Sequence, residues 1–303
     1  DLCKSSCDNA TRFSTAPMQS VSIDLAGPFK IPTMSGGKYA FIVVDHYTRY
    51  VWVDFMPSKH SRCSTQSFER FCAHVGKIPT HVHTDGGKEF LGSFSALLRT
   101  HLIKQTYSCP YSSFENAIVE RRVRTLKETT RRLMLESGLP PQFYGRAMHT
   151  AANILNVHPV QGDPIHANTI PWKLVHKDRA PPKLKVFGCL AYALKVPKAS
   201  RDDYLKYPGS VGWWVGYSDY SNGDMIYDPA DGTFKIRRDV VCDEHWRYSN
   251  DSKTWQDLLA QIEQDKPVIT ESTHARPTDK QPIVIDAQRA TVHKTQTALT
   301  QGG

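Results

Sequence analysis

The sequence predicts an α/β fold: a mixed β-sheet flanked by helices, then a small β-barrel-like module and a polar tail. Three observations lead there. Short apolar stretches with strand-like alternation come first and are interleaved with segments of helical spacing, the order that builds a sheet covered by helices. After "PPKLK" (residues 181–185) the pattern shifts to short aromatic and β-branched runs broken by Asn-Gly and Asp-Gly turns. Beyond about residue 250 the chain is rich in Thr, Gln and Lys, too polar to bury a core.

Each element has its own signal. "SVSIDLAGPF" (20–29) alternates apolar and polar residues, and Gly27-Pro28 stops it just past Asp24. "YAFIVVDHYTRYVWVDFM" (39–56) reads as two strands joined by a tight turn at residues 45–49. Residues 64–74 have helical spacing, with Phe68, Phe71 and Cys72 on one side. "THVHTD" is a further short strand. Residues 90–99 are predicted as a helix, with apolar residues at 90, 91, 94, 97 and 98. "IKQTYSC" is a fifth strand.

Residues 116–136 give the clearest helix. Val119, Val123, Leu126, Thr130 and Leu133 form a stripe at spacings of four, three, four and three. Gly138 and Pro140-Pro141 end it. A second helix is expected over 143–156. The β module is expected over 184–248, with Trp213, Trp214 and Tyr217 as packing residues, and 249–303 as a mostly disordered tail holding at most a short helix at 255–262. We find no internal repeat.

A chain of 303 residues suffices for one large domain or two ordinary ones. No apolar run is long enough to span a membrane, and no membrane partner is expected. No secretory leader is visible. The first residue is Asp1 rather than Met, so the chain reads as a fragment or a processed piece. A net charge of +8 and a pI near 9.0 favour a polyanionic partner. Residues 173–206 hold nine Lys/Arg against three Asp, whereas 249–303 hold six basic against seven acidic residues. Lys195, Lys198 and Arg201 fit either a DNA backbone contact or a solvated loop. Seven cysteines, an odd and scattered set, argue against a disulfide framework and for a reducing compartment.

Three acids carry the chemistry. Asp24 closes the first strand, Asp85 follows another strand just before a glycine turn, and Glu120 lies in the first turns of the long helix. The 34 residues between Asp85 and Glu120 hold one helix, one strand and a loop. Singly, an aspartate at a strand end is usually a turn former; the combination matters. Three carboxylates in one cleft repel unless a cation joins them. Hard oxygen donors select Mg²⁺ or Mn²⁺, and two such ions suit in-line displacement at a phosphodiester. Glu120, Arg124, Lys127 and Arg131 recur on one helix face, and Arg121, Arg122 and Arg132 widen the basic surface. That face suits DNA phosphates; it also suits plain solvation.

"HVHTDGG" (81–87) invites a different reading, a zinc hydrolase. That motif needs a histidine where Gly86 stands, and His101, His149 and His158 sit on or near helices. His81 and His83, two apart on a strand, read as ordinary partly exposed residues.

"SIDLAGPF", "FIVVDHYTRYVWV", "HTDGGKEF" and "YSSFENAIVERRVRTLKE" occur in order. Together they resemble the integrase catalytic core of Ty1/copia-type LTR retrotransposons, in the retroviral integrase superfamily. "LKVFGCLAYALKVPKASR", "GWWVGYSD" and "RRDVVCDE" resemble the segment that follows that core, so the likeness runs over about residues 3–246. It implies an RNase H-like five-stranded sheet over 10–165 and a D,D,E triad at Asp24, Asp85 and Glu120. It further implies two Mg²⁺ or Mn²⁺ ions, and 3′-end processing and strand transfer of element DNA into target double-stranded DNA. A homo-oligomer acting in the nucleus, made in the cytoplasm as part of a polyprotein, follows from the same likeness. Asn116, Arg121, Arg124, Lys127 and Arg131 would then contact nucleic acid.

The chain departs from the family at three places. Asn116-Ala117 replaces Asn-Gly, which would restrict the backbone and impair activity. Phe114-Glu115 replaces Gln-rich residues, and Asp85-Gly86-Gly87 replaces Asp-Asn-Gly. Cys3 and Cys7 resemble the end of a His-His-Cys-Cys zinc site, residues 1–9 being its remnant. Zn²⁺ is expected only where the rest of that domain is present; two free thiols are the other reading. The competing class is a remnant that binds nucleic acid without catalysis.

Overall fold

The structure is a computed structural model and describes residues 14–107, 117–160, 169–194, 209–218 and 223–248. The first sheet has five strands: β1 (Ser20–Ala26), β2 (Tyr39–Asp45), β3 (Val51–Met56), β4 (His81–Thr84) and β5 (Lys104–Tyr107), in the order β3-β2-β1-β4-β5. β1–β2 and β2–β3 pair antiparallel, while β4 pairs parallel with β1 and with β5. The predicted mixed five-stranded sheet is what forms.

Alternation along β2 explains why helices cover both faces. Phe41 and Val43 point to one side, where they meet Phe68 and Phe71 of α1 (Ser61–Val75) and Phe94 and Leu98 of α2 (Ser93–Thr100). Ala40, Ile42 and Val44 point to the other, against Val119, Val123 and Leu126 of α3 (Ala117–Ser137) and Met148, Ala151 and Leu155 of α4 (Tyr144–Val157). The stripe read from the sequence is the buried one: Thr130 is fully covered and Leu133 packs at its end. The β2–β3 turn is held by buried Asp45, whose carboxylate accepts from Met18 N, Thr48 N and Thr48 Oγ1.

Two helices differ from expectation. Residues 88–90 form a 3-10 turn, and α2 begins only at Ser93, because Gly92 takes φ 60° and breaks the run; Leu91 is left exposed. The second predicted helix also opens with a 3-10 turn, Pro141–Phe143, before α4. A short α5 (Pro171–Val175) was not expected; it adds Trp172 to the α1 side of the core.

A second sheet of five antiparallel strands follows: β6 (Cys189–Leu194), β7 (Gly209–Tyr217), β8 (Asp224–Asp228), β9 (Thr233–Arg237) and β10 (Val240–Arg247), in the order β10-β6-β7-β8-β9. Its inner face shares a cluster with Leu139, Phe143 and Ala147, so it packs on the end of α3 and the start of α4. Trp214 is fully buried there, and its Nε1 donates to Asp224 Oδ1 (2.7 Å), which Lys185 also meets at 2.7 Å. Residues 249–303 lie outside the described residues, as do Lys195, Lys198 and Arg201. Among the described residues no helix is long and apolar enough to cross a membrane.

Candidate functional site

The parallel pairing of β1 with β4 decides where two of the three acids go. Ser20 pairs with His81, Val21 with Val82 and Ser22 with His83. Continuing that register brings Asp24 level with Asp85, the residue just after β4. α3 packs on the same side of the sheet through Val119 and Val123, and Glu120 stands in its first turn. Asp24, Asp85 and Glu120 line one cavity of about 570 Å³, together with Arg124, Lys127 and Glu128.

Burial pushes the Asp24 carboxyl above the usual carboxylate range. Lys127 opposes this, with Nζ 3.9 Å from Asp24 Oδ2, while the charges of Asp85 and Glu120 add to it. Both members of the Lys127–Asp24 pair are almost half exposed, so the pair contributes at most ~1 kcal/mol. Asp85 folds over its own turn: its Oδ1 accepts from Gly87 N at 3.1 Å. A Cβ at residue 87 would come within 2.9 Å of that oxygen and 2.7 Å of the Glu89 carboxyl carbon, so a side chain there would push both carboxylates aside. Among the described residues, no three His, Cys, Asp or Glu side chains stand close enough to hold one metal ion. The carboxylates therefore line a common cavity without converging on a point.

Of the expected nucleic-acid contacts, Arg121, Arg124, Lys127 and Arg131 are exposed on α3, and Arg124 and Lys127 reach the cavity. Arg122 does not belong to that surface. It turns inward, donating from Nε to the Arg49 carbonyl (3.1 Å) and from Nη2 to the Leu155 carbonyl (2.6 Å). Burial, with Arg49 nearby, lowers its pKa to about 10. Glu128 was missed, although it lies eight residues after Glu120 and hence near the same helix face. Asn116, Cys3 and Cys7 lie outside the described residues. Ala117 is the first residue of α3.

The two strand histidines are buried rather than partly exposed, at 8% and 5%. His81 Nδ1 bonds Ser20 Oγ (2.9 Å) and its Nε2 bonds Thr106 Oγ1 (2.7 Å); His83 Nδ1 shares the same threonine at 3.0 Å. Neighbouring strands bond both nitrogens of His81 and Nδ1 of His83, which fits a structural role and not a zinc cage.

Comparison with known proteins finds two family matches along the chain. Residues 14–113 match the family described as integrase core domain, and residues 189–255 match the retroviral polymerase SH3-like domain. The chain is 30% identical over 253 residues to the retrovirus-related Pol polyprotein from transposon TNT 1-94 of Nicotiana tabacum, covering 80% of this chain and 18% of that protein. It is 28% identical over 224 residues to the one from transposon RE2 of Arabidopsis thaliana, covering 70% and 15%. The chain thus spans less than a fifth of the length of these relatives. Among solved structures, the HTLV-2 integrase catalytic core domain in complex with magnesium aligns with 21% identity and a TM-score of 0.43, over 54% of this chain and 100% of that one.

Proposed function

The chain belongs with the integrase catalytic cores of LTR-retrotransposon Pol polyproteins, and from that premise we propose that it catalyses metal-dependent 3′-end processing of element DNA and its transfer into target double-stranded DNA. The observation that supports this most is the shared cavity of Asp24, Asp85 and Glu120, lined on one side by Arg124 and Lys127. We read residues 10–165 as the catalytic core and 184–248 as its accessory β module. The active form is read as a homo-oligomer working on chromosomal DNA in the nucleus.

The residues suit a hard divalent ion. All three acids offer oxygen, and the Asp24 carboxyl is raised chiefly by burial, with smaller contributions from the charges of Asp85 and Glu120. Asp24, Asp85 and Glu120 would hold Mg²⁺ or Mn²⁺, which supplies charge neutralisation and polarisation at a phosphodiester oxygen. Arg124 and Lys127 would hold DNA phosphates at the rim. Lys127 would exchange its contact with Asp24 for a phosphate. Zn²⁺ would enter only through an upstream domain completing Cys3 and Cys7.

A strand-transfer assay with Mn²⁺ and a pre-cut 3′ end tests this reading. Joined product from the wild type, lost by at least ~10³-fold in Glu120→Gln, is the expected result. DNA binding with no joining, and no difference between the two proteins, favours a remnant that only binds nucleic acid.

A further inference from the structure

Two residues after Glu120, the inward turn of Arg122 bridges two elements. One acceptor, the Arg49 carbonyl, lies in the β2–β3 turn, where Arg49 has a φ of 63°. The other, the Leu155 carbonyl, lies in the last turn of α4. These elements are also tied to each other. The Asn156 amide accepts from Val51 N (2.8 Å) and donates to Val51 O (2.7 Å), so the acceptors of Arg122 are themselves held in place.

At about 100° per residue, Arg122 lies roughly 200° around the helix from Glu120, with the apolar stripe on the arc between them. Apolar burial has no direction. The stripe seats α3 on the sheet and sets which of its faces is buried. Two hydrogen bonds from one planar guanidinium are directional, and a roll of the helix would stretch both.

We propose that Arg122 is a positioning residue: its clamp on the Arg49 and Leu155 carbonyls sets the rotation of α3 that keeps Glu120 in the cavity with Asp24 and Asp85. This rests on reading that cavity as a divalent-ion site. Removing the clamp leaves all three carboxylates in the chain and lets the first turn of α3 roll.

The test compares wild type, Arg122→Lys, Arg122→Met and Glu120→Gln in the full chain. Mn²⁺ affinity is measured well below each protein's melting temperature, and amide exchange is followed over residues 117–124. Arg122→Met should bind Mn²⁺ about tenfold more weakly and exchange faster in that segment. Arg122→Lys, keeping the charge but making a single contact, should fall between it and wild type. An Arg122→Met protein that melts earlier yet keeps wild-type Mn²⁺ affinity and wild-type exchange overturns the proposal and reduces Arg122 to a stabilising contact. A wild type that binds Mn²⁺ no better than Glu120→Gln overturns the metal-site reading itself, and this proposal with it.

Discussion

Asp24 shows a conflict between stability and chemistry within one side chain. Its folded pKa is raised, chiefly by burial, so folding favours the protonated form. Stability from this group is complete below its unfolded value near 3.8 and is lost as pH rises through the folded value. Asp24→Asn should therefore melt slightly higher than wild type at pH 7 without divalent ions. The gap should be ~1–2 °C, given solvent screening of a half-exposed group. It should close as pH falls toward 3.8, and thermal melts across that range check it; a variant that melts lower at pH 7 contradicts the assignment. At this scale the sequence was legible in placement, whatever the role. Asp24, Asp85 and Glu120 stand at strand ends and a helix start. Arg122, His81 and His83 were misread, because what occupies them is unseen in their own segments: carbonyls at 49 and 155, and hydroxyls at 20 and 106.

α3 was legible because five stripe positions repeat over four turns. α5 was not, since five residues cannot display a period, and the start of α2 was displaced by the conformation of one glycine. The link between β3 and α4 also escaped notice. Asn156 is almost fully buried and treats Val51 as a neighbouring strand would, through both backbone groups. Asn156→Ala leaves a buried N–H and C=O at an edge strand without these partners, which should cost about 2–3 kcal/mol. Chemical denaturation measures this. Because the Leu155 carbonyl sits next door, the same variant should also loosen the Arg122 clamp. A loss below ~0.5 kcal/mol would mean that water or a shifted side chain replaces the amide.

Across the whole molecule, periodicity said that each strand was buried but not against what. The order β3-β2-β1-β4-β5 depends on pairings between segments up to 61 residues apart, such as Ser20 with His81, and no local pattern encodes that choice. The second sheet's attachment is equally non-local: Phe187, Trp214 and Ile226 complete a cluster begun by Leu139 and Phe143. The candidate site is the product of this long-range assembly, with one acid from β1, one from the end of β4 and one from α3. Calorimetric titration of Mn²⁺ into wild type, Asp24→Asn, Asp85→Asn and Glu120→Gln tests most directly whether these three acids share an ion. A shared ion predicts that each single change weakens binding by tenfold or more. Wild-type affinity surviving in any one of the three variants would mean that its carboxylate is not part of the site.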